Sequence, residues 1–417
     1  MLIWLVKIGE TLPIGKSDNR LLRTGLIANA FIEKGHDIVW WTSTFDHFKK
    51  KQNFQVDTDL QLMPNYRLTL LHGKGYKKNV SLARIKDHRL ISAKFRKRIY
   101  DEKIKPNLIV CAYPTVELAF HCIQFGKKFN IPVIVDIRDL WPDIFFEELL
   151  PKFIRKFALN LFNLFIKKHQ YVFENATAII GITDKILNWG LEYAGRKSRD
   201  IDRVFHLSYC KPSLQHTNQT IKSLSHKGLT FKKNILYVCL IGTISKYKFD
   251  LKPIVLAAKI LQKSTERVEF VIVGDGEGLE WLRNETLGLT NIHFTGWIKQ
   301  NEISYILDNV QVGIAPYFNT FTYTTSIPSK ISEYFAYGLP VVSGLKGELG
   351  DFITQNNAGY VYYSGKEMAK ILVKLALDKE VLARFKENNL ILYSQKFDSR
   401  KVYDNYVNHI LSLKSSI

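Results

Sequence analysis

Chemistry in this chain is most concentrated in Ser326-Ile327-Pro328-Ser329-Lys330-Ile331-Ser332-Glu333-Tyr334-Phe335-Ala336-Tyr337-Gly338-Leu339-Pro340-Val341-Val342. Pro328 suits a helix entrance, because its missing N–H would have no partner in a first turn. Gly338 suits the stop, and the apolar run that follows reads as a central parallel strand. Lys330 and Glu333 stand three apart and so share one helix face. A helix start offers N–H groups and partial positive charge to an anion, which fits a nucleotide diphosphate lying across it. The plainer reading is an ordinary helix–strand unit with a surface ion pair.

A second concentration is Asp136-Ile137-Arg138-Asp139-Leu140-Trp141-Pro142-Asp143, where a strand delivers an arginine and an aspartate together at its carboxyl end. Ligands of open α/β sheets bind at that edge. Glycine turns recur in the same kind of place. Ile8-Gly9-Glu10 follows the first apolar run, though not as a dinucleotide fingerprint. Gly242-Thr243-Ile244-Ser245-Lys246-Tyr247-Lys248, Gly274-Asp275-Gly276 and Phe294-Thr295-Gly296-Trp297 follow three later runs. Each glycine either lets backbone approach a ligand or makes a tight turn. A lysine in such a loop either neutralises a diphosphate or is simply solvated.

The elements that must position these residues alternate strand and helix. Strands are expected at 2–6, 37–42, a pair within 60–72, 107–111, 131–136, 176–183 and 203–207, and helices at 18–35, 115–130 and 151–169, giving a doubly wound sheet of six or seven strands. Between 74 and 105 lies the most basic stretch, with Leu82, Ile85, Leu90, Ile91, Phe95 and Ile99 at helical spacing. It reads either as a membrane-surface or polyphosphate-binding helix or as a solvated face packed on the sheet. The pattern lapses over 208–233 and then restarts, with strands expected at 234–241, 268–273, 291–294, 312–315, 340–343 and 359–362. Helices lie between them, and two more follow at 380–393 and 399–413. Two α/β domains result, 1–215 and 216–397, followed by a last helix at 398–417, whose return to the first domain is what the family resemblance given below implies.

The 417 residues, 46% hydrophobic, suffice for two cores. A net charge of +20 implies an anionic partner, whether nucleic acid, acidic membrane or phosphorylated ligand. The four cysteines form no CxxC pair, and the eleven histidines no metal-binding cluster, so a reducing compartment, no disulfide framework and no metal are expected. No apolar run is long enough to cross a bilayer. The short apolar start reads as a buried strand and not a signal peptide.

Taken together, these stretches resemble a family 4 glycosyltransferase of the GT-B fold, nearest to the WbuB-like branch of bacterial surface-polysaccharide enzymes. The resemblance spans nearly the whole chain and rests most on the runs at 136–143 and 328–342. It implies two Rossmann-like, doubly wound parallel-sheet domains facing across a cleft. It implies retaining transfer, without a metal cofactor, from a nucleotide diphosphate sugar (a UDP-sugar) to a lipid-linked (polyprenyl diphosphate) saccharide, at the inner face of the cytoplasmic membrane. Glu333 then matches the second glutamate of the E-x7-E motif, which bonds the donor ribose. Thr325 stands where the first glutamate would be, and Lys330 takes part of its load. Thr243 and Lys248 occupy the Arg-x4-Lys diphosphate pair, so only the lysine survives. Arg138 and Asp139 fall beside the donor sugar, and Gly9 with Glu10 in the loop that closes over phosphates and acceptor. The implied catalytic residues are Asp139, Arg138 and Glu10. The implied donor contacts are Gly9, Gly242, Thr243, Lys248, Gly274, Gly276, Trp297, Thr325, Ser326, Lys330 and Glu333. Two rivals share some of these features: a GT-B-fold sugar-nucleotide epimerase, and a basic nucleic-acid binder, against which the lack of any nucleic-acid-binding motif counts.

Overall fold

Runs of β-prone residues in the first part of the chain pair into one sheet. In the computed structural model, which describes residues 1–14, 21–79, 81–144, 147–148, 151, 153, 163–213 and 216–413, these are β1 (Leu2–Val6), β2 (Asp37–Ser43), β5 (Thr58–Met63), β6 (Tyr66–Leu71), β7 (Leu108–Tyr113), β8 (Val133–Ile137), β9 (Ala178–Gly181) and β10 (Arg203–Val204). Two short strands, β3 (Phe45–Asp46) and β4 (Lys51–Gln52), form a separate ribbon. The main sheet runs β10-β9-β8-β7-β1-β2-β6-β5. All neighbours are parallel except β5, which turns back along β6. There are thus eight strands where six or seven were expected, although both edge strands, β5 and β10, fall in segments read as strand, within 60–72 and 203–207. Strand order reverses between β1 and β7, the place where open α/β sheets bind ligands.

Side chains alternate across this sheet. Ile3 and Leu5 face a core with Ile27 and Phe31 of the helix Arg23–Glu33 and with Tyr403, Tyr406, Val407 and Ile410 of the helix Ser399–Ser412. Trp4 faces the other side, 5.2 Å from both Trp41 and Phe125, and Trp41 meets Phe95 at 5.3 Å. The first helix was expected over 18–35; Leu21 and Leu22 are not helical, and residues 15–20 lie outside the described part. Much of the expected 151–169 helix, Phe157 and Phe162 included, also lies outside it; the described helix is Asn163–Glu174.

The basic stretch forms the helix Leu82–Asp101. Its stripe Ile91, Phe95 and Ile99 is fully buried, so the packed-face reading holds for that half. Lys94 pairs with Asp57 at 2.7 Å and Arg98 with Asp59 of β5. The first turns differ: Leu82 is 75% and Ile85 41% exposed.

The second unit repeats the architecture. Its strands β11 (Leu236–Ile241), β12 (Val268–Val273), β13 (Ile292–Gly296), β14 (Val312–Ala315), β15 (Val341–Ser343) and β16 (Gly359–Val361) lie parallel in the order β13-β12-β11-β14-β15-β16. That is the dinucleotide-fold order, with its switch point between β11 and β14. Apolar clusters cover both faces. The units divide between His206 and Leu207, with Val402–Ile417 counted in the first, not at 215/216. The reason is Tyr209, which is buried, donates its amide to the Phe397 carbonyl at 3.0 Å and accepts from the Tyr393 hydroxyl at 2.9 Å. The stretch read as linker also holds a helix, Asn218–His226, capped by the Thr217 hydroxyl.

One buried group makes the first unit sensitive to acid. His169 has no exposed surface and sits among Tyr113, Phe173, Trp189 and Tyr193. Burial pushes its imidazole down to about 3, whereas an unfolded histidine titrates near 6.5. Below pH ~6.5 the unfolded chain therefore takes up a proton that the folded chain refuses, and stability falls as pH drops. The limit is about 1.4 kcal/mol per pH unit for this group. Urea unfolding between pH 7.5 and pH 5 should show a shallower pH dependence for His169→Gln than for the wild type; identical slopes would refute the assignment.

Candidate active site

In the first unit, four charged side chains are drawn into the interior. Arg23, the first residue of its helix, places Nε and Nη2 each 3.0 Å from the two oxygens of Asp136 on β8. Its Nη1 donates to the carbonyls of Phe205 (2.8 Å) and His206 (3.3 Å). Arg138 also donates to Asp136, at 2.9 Å from Nε, and reaches Glu10 through Nη1. Glu10 in turn accepts the Thr24 amide and hydroxyl at 3.0 Å. Leu22 at the N-cap offers no side-chain acceptor, so Glu10 caps that helix from a distance. Burial raises the Asp136 carboxyl, but the two guanidiniums outweigh it and hold the group below the usual carboxylate range.

Glu10 and Arg138, both expected as catalytic, are thus brought together but bonded to each other. Asp139 is placed differently. Among the described residues, its one hydrogen-bond donor is the Leu140 amide at 3.0 Å. Burial raises its carboxyl above the ordinary range, more than that amide and the Lys7 charge lower it. It lines a cavity of about 310 Å³ that also takes in Lys7, Gly9, Phe45, His47, Arg84 and His88. Every wall is a segment following the carboxyl end of a parallel strand: β1, β2, β6, β7 and β8. His47 and Tyr76 share a hydrogen bond of 2.6 Å. Burial, with the Lys50 and Arg84 charges, pushes His47 down to about 4, and burial with Arg84 pushes His88 to about 3. Both imidazoles are neutral near pH 7. Sequence reading singled out neither histidine, nor Lys7, because nothing in local spacing announces partners so far apart in the chain.

In the second unit, the edge is made mostly of backbone. Gly242 donates to the Val273 carbonyl at 2.9 Å, Ile244 to Asp275 at 2.9 Å, and Gly274 to Gly296 at 3.0 Å. The loops after β11, β12 and β13 are laced side by side. A Cβ on Gly274 would lie 1.9 Å from the Gly242 oxygen, and one on Gly276 2.5 Å from the Ile244 oxygen. Their φ angles, 120° and 148°, also favour glycine. Thr243, Lys248 and Trp297 stand exposed on these loops.

The helix Ser329–Ala336 hangs from Tyr334. Its hydroxyl accepts from the Ile241 amide (3.3 Å) and donates toward the carbonyls of Cys239 (3.3 Å) and Ile314 (3.2 Å). Gly313 leaves room for the ring, since a Cβ there would sit 2.5 Å from it. So anchored, Lys330 passes 3.7 Å from where a Gly242 Cβ would be and pairs with the buried Glu333 at 2.7 Å. No side chain caps the helix start. Thr325 and Ser326 turn their hydroxyls back to the carbonyls of Phe321 and Thr322, both at 2.9 Å. Another cavity of this unit, about 230 Å³, is lined by Lys211, Gln311, Pro340 and Lys386. It opens at the amino ends of β14 and β15, the edge opposite the glycine loops.

The ionic chain of the first unit yields a direct test. Asp136→Asn leaves two buried guanidiniums short of countercharge, which should cost about 3–5 kcal/mol in urea unfolding. A loss below ~1 kcal/mol would show that water or relaxation supplies what Asp136 gives.

Comparison with known proteins fits these sites. Residues 235–378 match the family model described as Glycosyl transferases group 1. A search of curated protein sequences finds no match. Among solved structures, sucrose-phosphate synthase from Thermosynechococcus elongatus superposes with a TM-score of 0.70 at 13% identity, covering 100% of both chains. WaaG, a glycosyltransferase involved in lipopolysaccharide biosynthesis, gives 0.62 at 13% identity over 97% of this chain and 99% of its own. Anabaena HepE in complex with UDP and glucose gives 0.60 at 15% identity over 99% of each. Residues 235–378, which carry the laced glycine loops and the Lys330–Glu333 pair, therefore match a group 1 glycosyl transferase domain, and the chain has the GT-B fold of glycosyltransferases.

Proposed function

We propose that this enzyme transfers a sugar, with retention, from a nucleotide diphosphate sugar to a hydroxyl of a lipid-linked saccharide during bacterial surface-polysaccharide assembly. The observation that carries the donor half is the Lys330–Glu333 pair set over Gly242 on the laced glycine edge. Glu333 offers a carboxylate to ribose hydroxyls. Lys330, Lys248 and the amides at the start of the helix Ser329–Ala336 offer positive charge to a diphosphate as charge builds on the leaving oxygen. A UDP-sugar is the donor favoured by the solved neighbours, since HepE binds UDP and a trehalose-6-phosphate protein from E. coli binds UDP-2-fluoro glucose. Gly9, Gly242, Thr243, Gly274, Gly276, Trp297, Thr325 and Ser326 remain candidate donor contacts. No metal cofactor is assigned. In the first unit, Asp139 orients the acceptor hydroxyl in its cavity, and the departing phosphate serves as its base. Glu10 and Arg138 act by holding that strand end in place.

UDP binding tests the donor half. Glu333→Ala should weaken UDP by about 1–3 kcal/mol in calorimetry, the scale for losing a charged hydrogen-bond partner, with the fold kept. Unchanged affinity would sink the role of Glu333.

The lipid-linked acceptor, the WbuB-like branch and a peripheral position on the cytoplasmic membrane belong to the same proposal. Their support is a surface beside the cavity: Phe48 is 61% and Leu82 75% exposed, among the exposed Lys74, Lys77, Lys78 and Lys86. Apolar side chains ringed by lysine suit an anionic bilayer surface. Among the described residues, no helix is long and apolar enough to cross a membrane. Liposomes rich in acidic lipid should sediment the protein at low salt and release it at high salt. Equal sedimentation with neutral liposomes, or none with acidic ones, would end the membrane reading.

A further inference from the structure

The charges of the first unit's cavity fall into two sets. One set is internally balanced. Glu10 and Arg138 bond to each other, and Asp87 accepts the Gly75 amide at 2.7 Å. The other set is cationic. No carboxylate lies within salt-bridge distance of the Lys7 ammonium among the described residues, and it feels Glu10 and Asp139 only through space. Arg84 donates to the Asn79 carbonyl at 2.9 Å and lies 5.6 Å over the Tyr76 ring. Lys50 stands over the same ring at 4.9 Å. The nearby Asp46 is occupied by the amides of Phe48 and Lys49, each at 2.9 Å. Two like charges therefore lie against one aromatic ring, and Lys7 lines the same cavity. The Asp139 carboxyl feels both Lys7 and Arg84, but one carboxyl does not offset three cations, and an anion entering the cavity would add the missing countercharge. Phe45 packs on Tyr76 at 4.8 Å, which gives a sugar ring an apolar wall beside these cations.

We propose that the acceptor saccharide carries an anionic group, a phosphate or a carboxylate, and that Lys7 and Arg84, with Lys50 behind them, bind it beside Asp139. The proposal rests on the reading of this cavity as the acceptor site. It assigns Lys7 and Arg84 to specificity. The anion has two possible sources with the same chemistry: an acidic sugar, or the diphosphate of a lipid carrier.

Calorimetry on the full chain, with UDP saturating the donor site, tests this with glucose, glucuronic acid, glucose 1-phosphate and inorganic diphosphate as probes. An acidic sugar should bind about tenfold or more tighter than glucose, and Lys7→Met should remove that preference. Arg84→Gln, at the more accessible end of the cavity, should also lose about tenfold even if the Lys7 variant folds poorly. UDP affinity should stay unchanged in both. Inorganic diphosphate binding as tightly as the sugar phosphate, with the same sensitivity to both substitutions, also supports the proposal and assigns the anion to a carrier. Equal affinity for glucose and both acidic sugars, without diphosphate binding, overturns it. So does an acid preference that survives both substitutions. Failure of UDP to bind while the acid preference persists sinks the donor reading and leaves this one standing.

Discussion

The first unit depends on a buried chain of charges running from Glu10 through Arg138 and Asp136 to Arg23. Taking such ions out of water costs several kcal/mol apiece, and attraction between them offsets this only when nearly every donor finds an acceptor. That condition fixes geometry. The chain ties the loop after β1, the start of the first helix, the end of β8 and the carbonyls of Phe205 and His206 into one unit. Little slack remains for any of them. Lys7, three residues before Glu10, and Asp139, next to Arg138, inherit their positions from it. They line the cavity together because their neighbours are locked, not because they bond to each other.

The second unit reaches comparable rigidity by other means. Its glycine edge is backbone laced to backbone, and the helix that carries Lys330 and Glu333 is suspended from the Tyr334 hydroxyl. Glycine is indispensable where carbonyls approach as closely as at Gly274 and Gly276. The close approach of backbone to backbone accounts for both glycines, and the amides of Gly242, Ile244 and Gly274 are spent in lacing the loops together.

This contrast explains what could be read from the amino acids alone. Lys330 and Glu333 were legible because a helix puts residues three apart on one face, and the structure bonds them at 2.7 Å. The parallel strands of the second unit follow from regular βα alternation. Arg23 and Asp136 were not legible as partners, since they are 113 residues apart and the 136–143 run drew notice for Arg138 and Asp139. Glu10 read as a loop carboxylate poised for chemistry, whereas its oxygens serve a helix start and an arginine. The basic helix was half legible. Its periodicity showed which residues could pack, but not that the stripe at Ile91, Phe95 and Ile99 would be buried while Leu82 stayed out. The helix Asn218–His226 went unseen because Ser, Thr and Asn there also suit a linker.

The same contrast accounts for where similarity to known sequences stops. The family match covers 235–378, the part whose site is built from backbone and from residues close in sequence. A donor that keeps its diphosphate and ribose across many enzymes can be held by such a device, so the pattern persists. The first unit's cavity is instead made of side chains gathered from β1, β2, β6, β7 and β8. Two of its lining residues, Glu10 and Arg138, belong to the charge chain itself, while Lys7, Arg84 and Asp139 stand beside it. Under the acceptor reading proposed above, specificity rests on side chains set upon this frame, and the residues to follow are Lys7, Arg84 and Asp139, not the glycines.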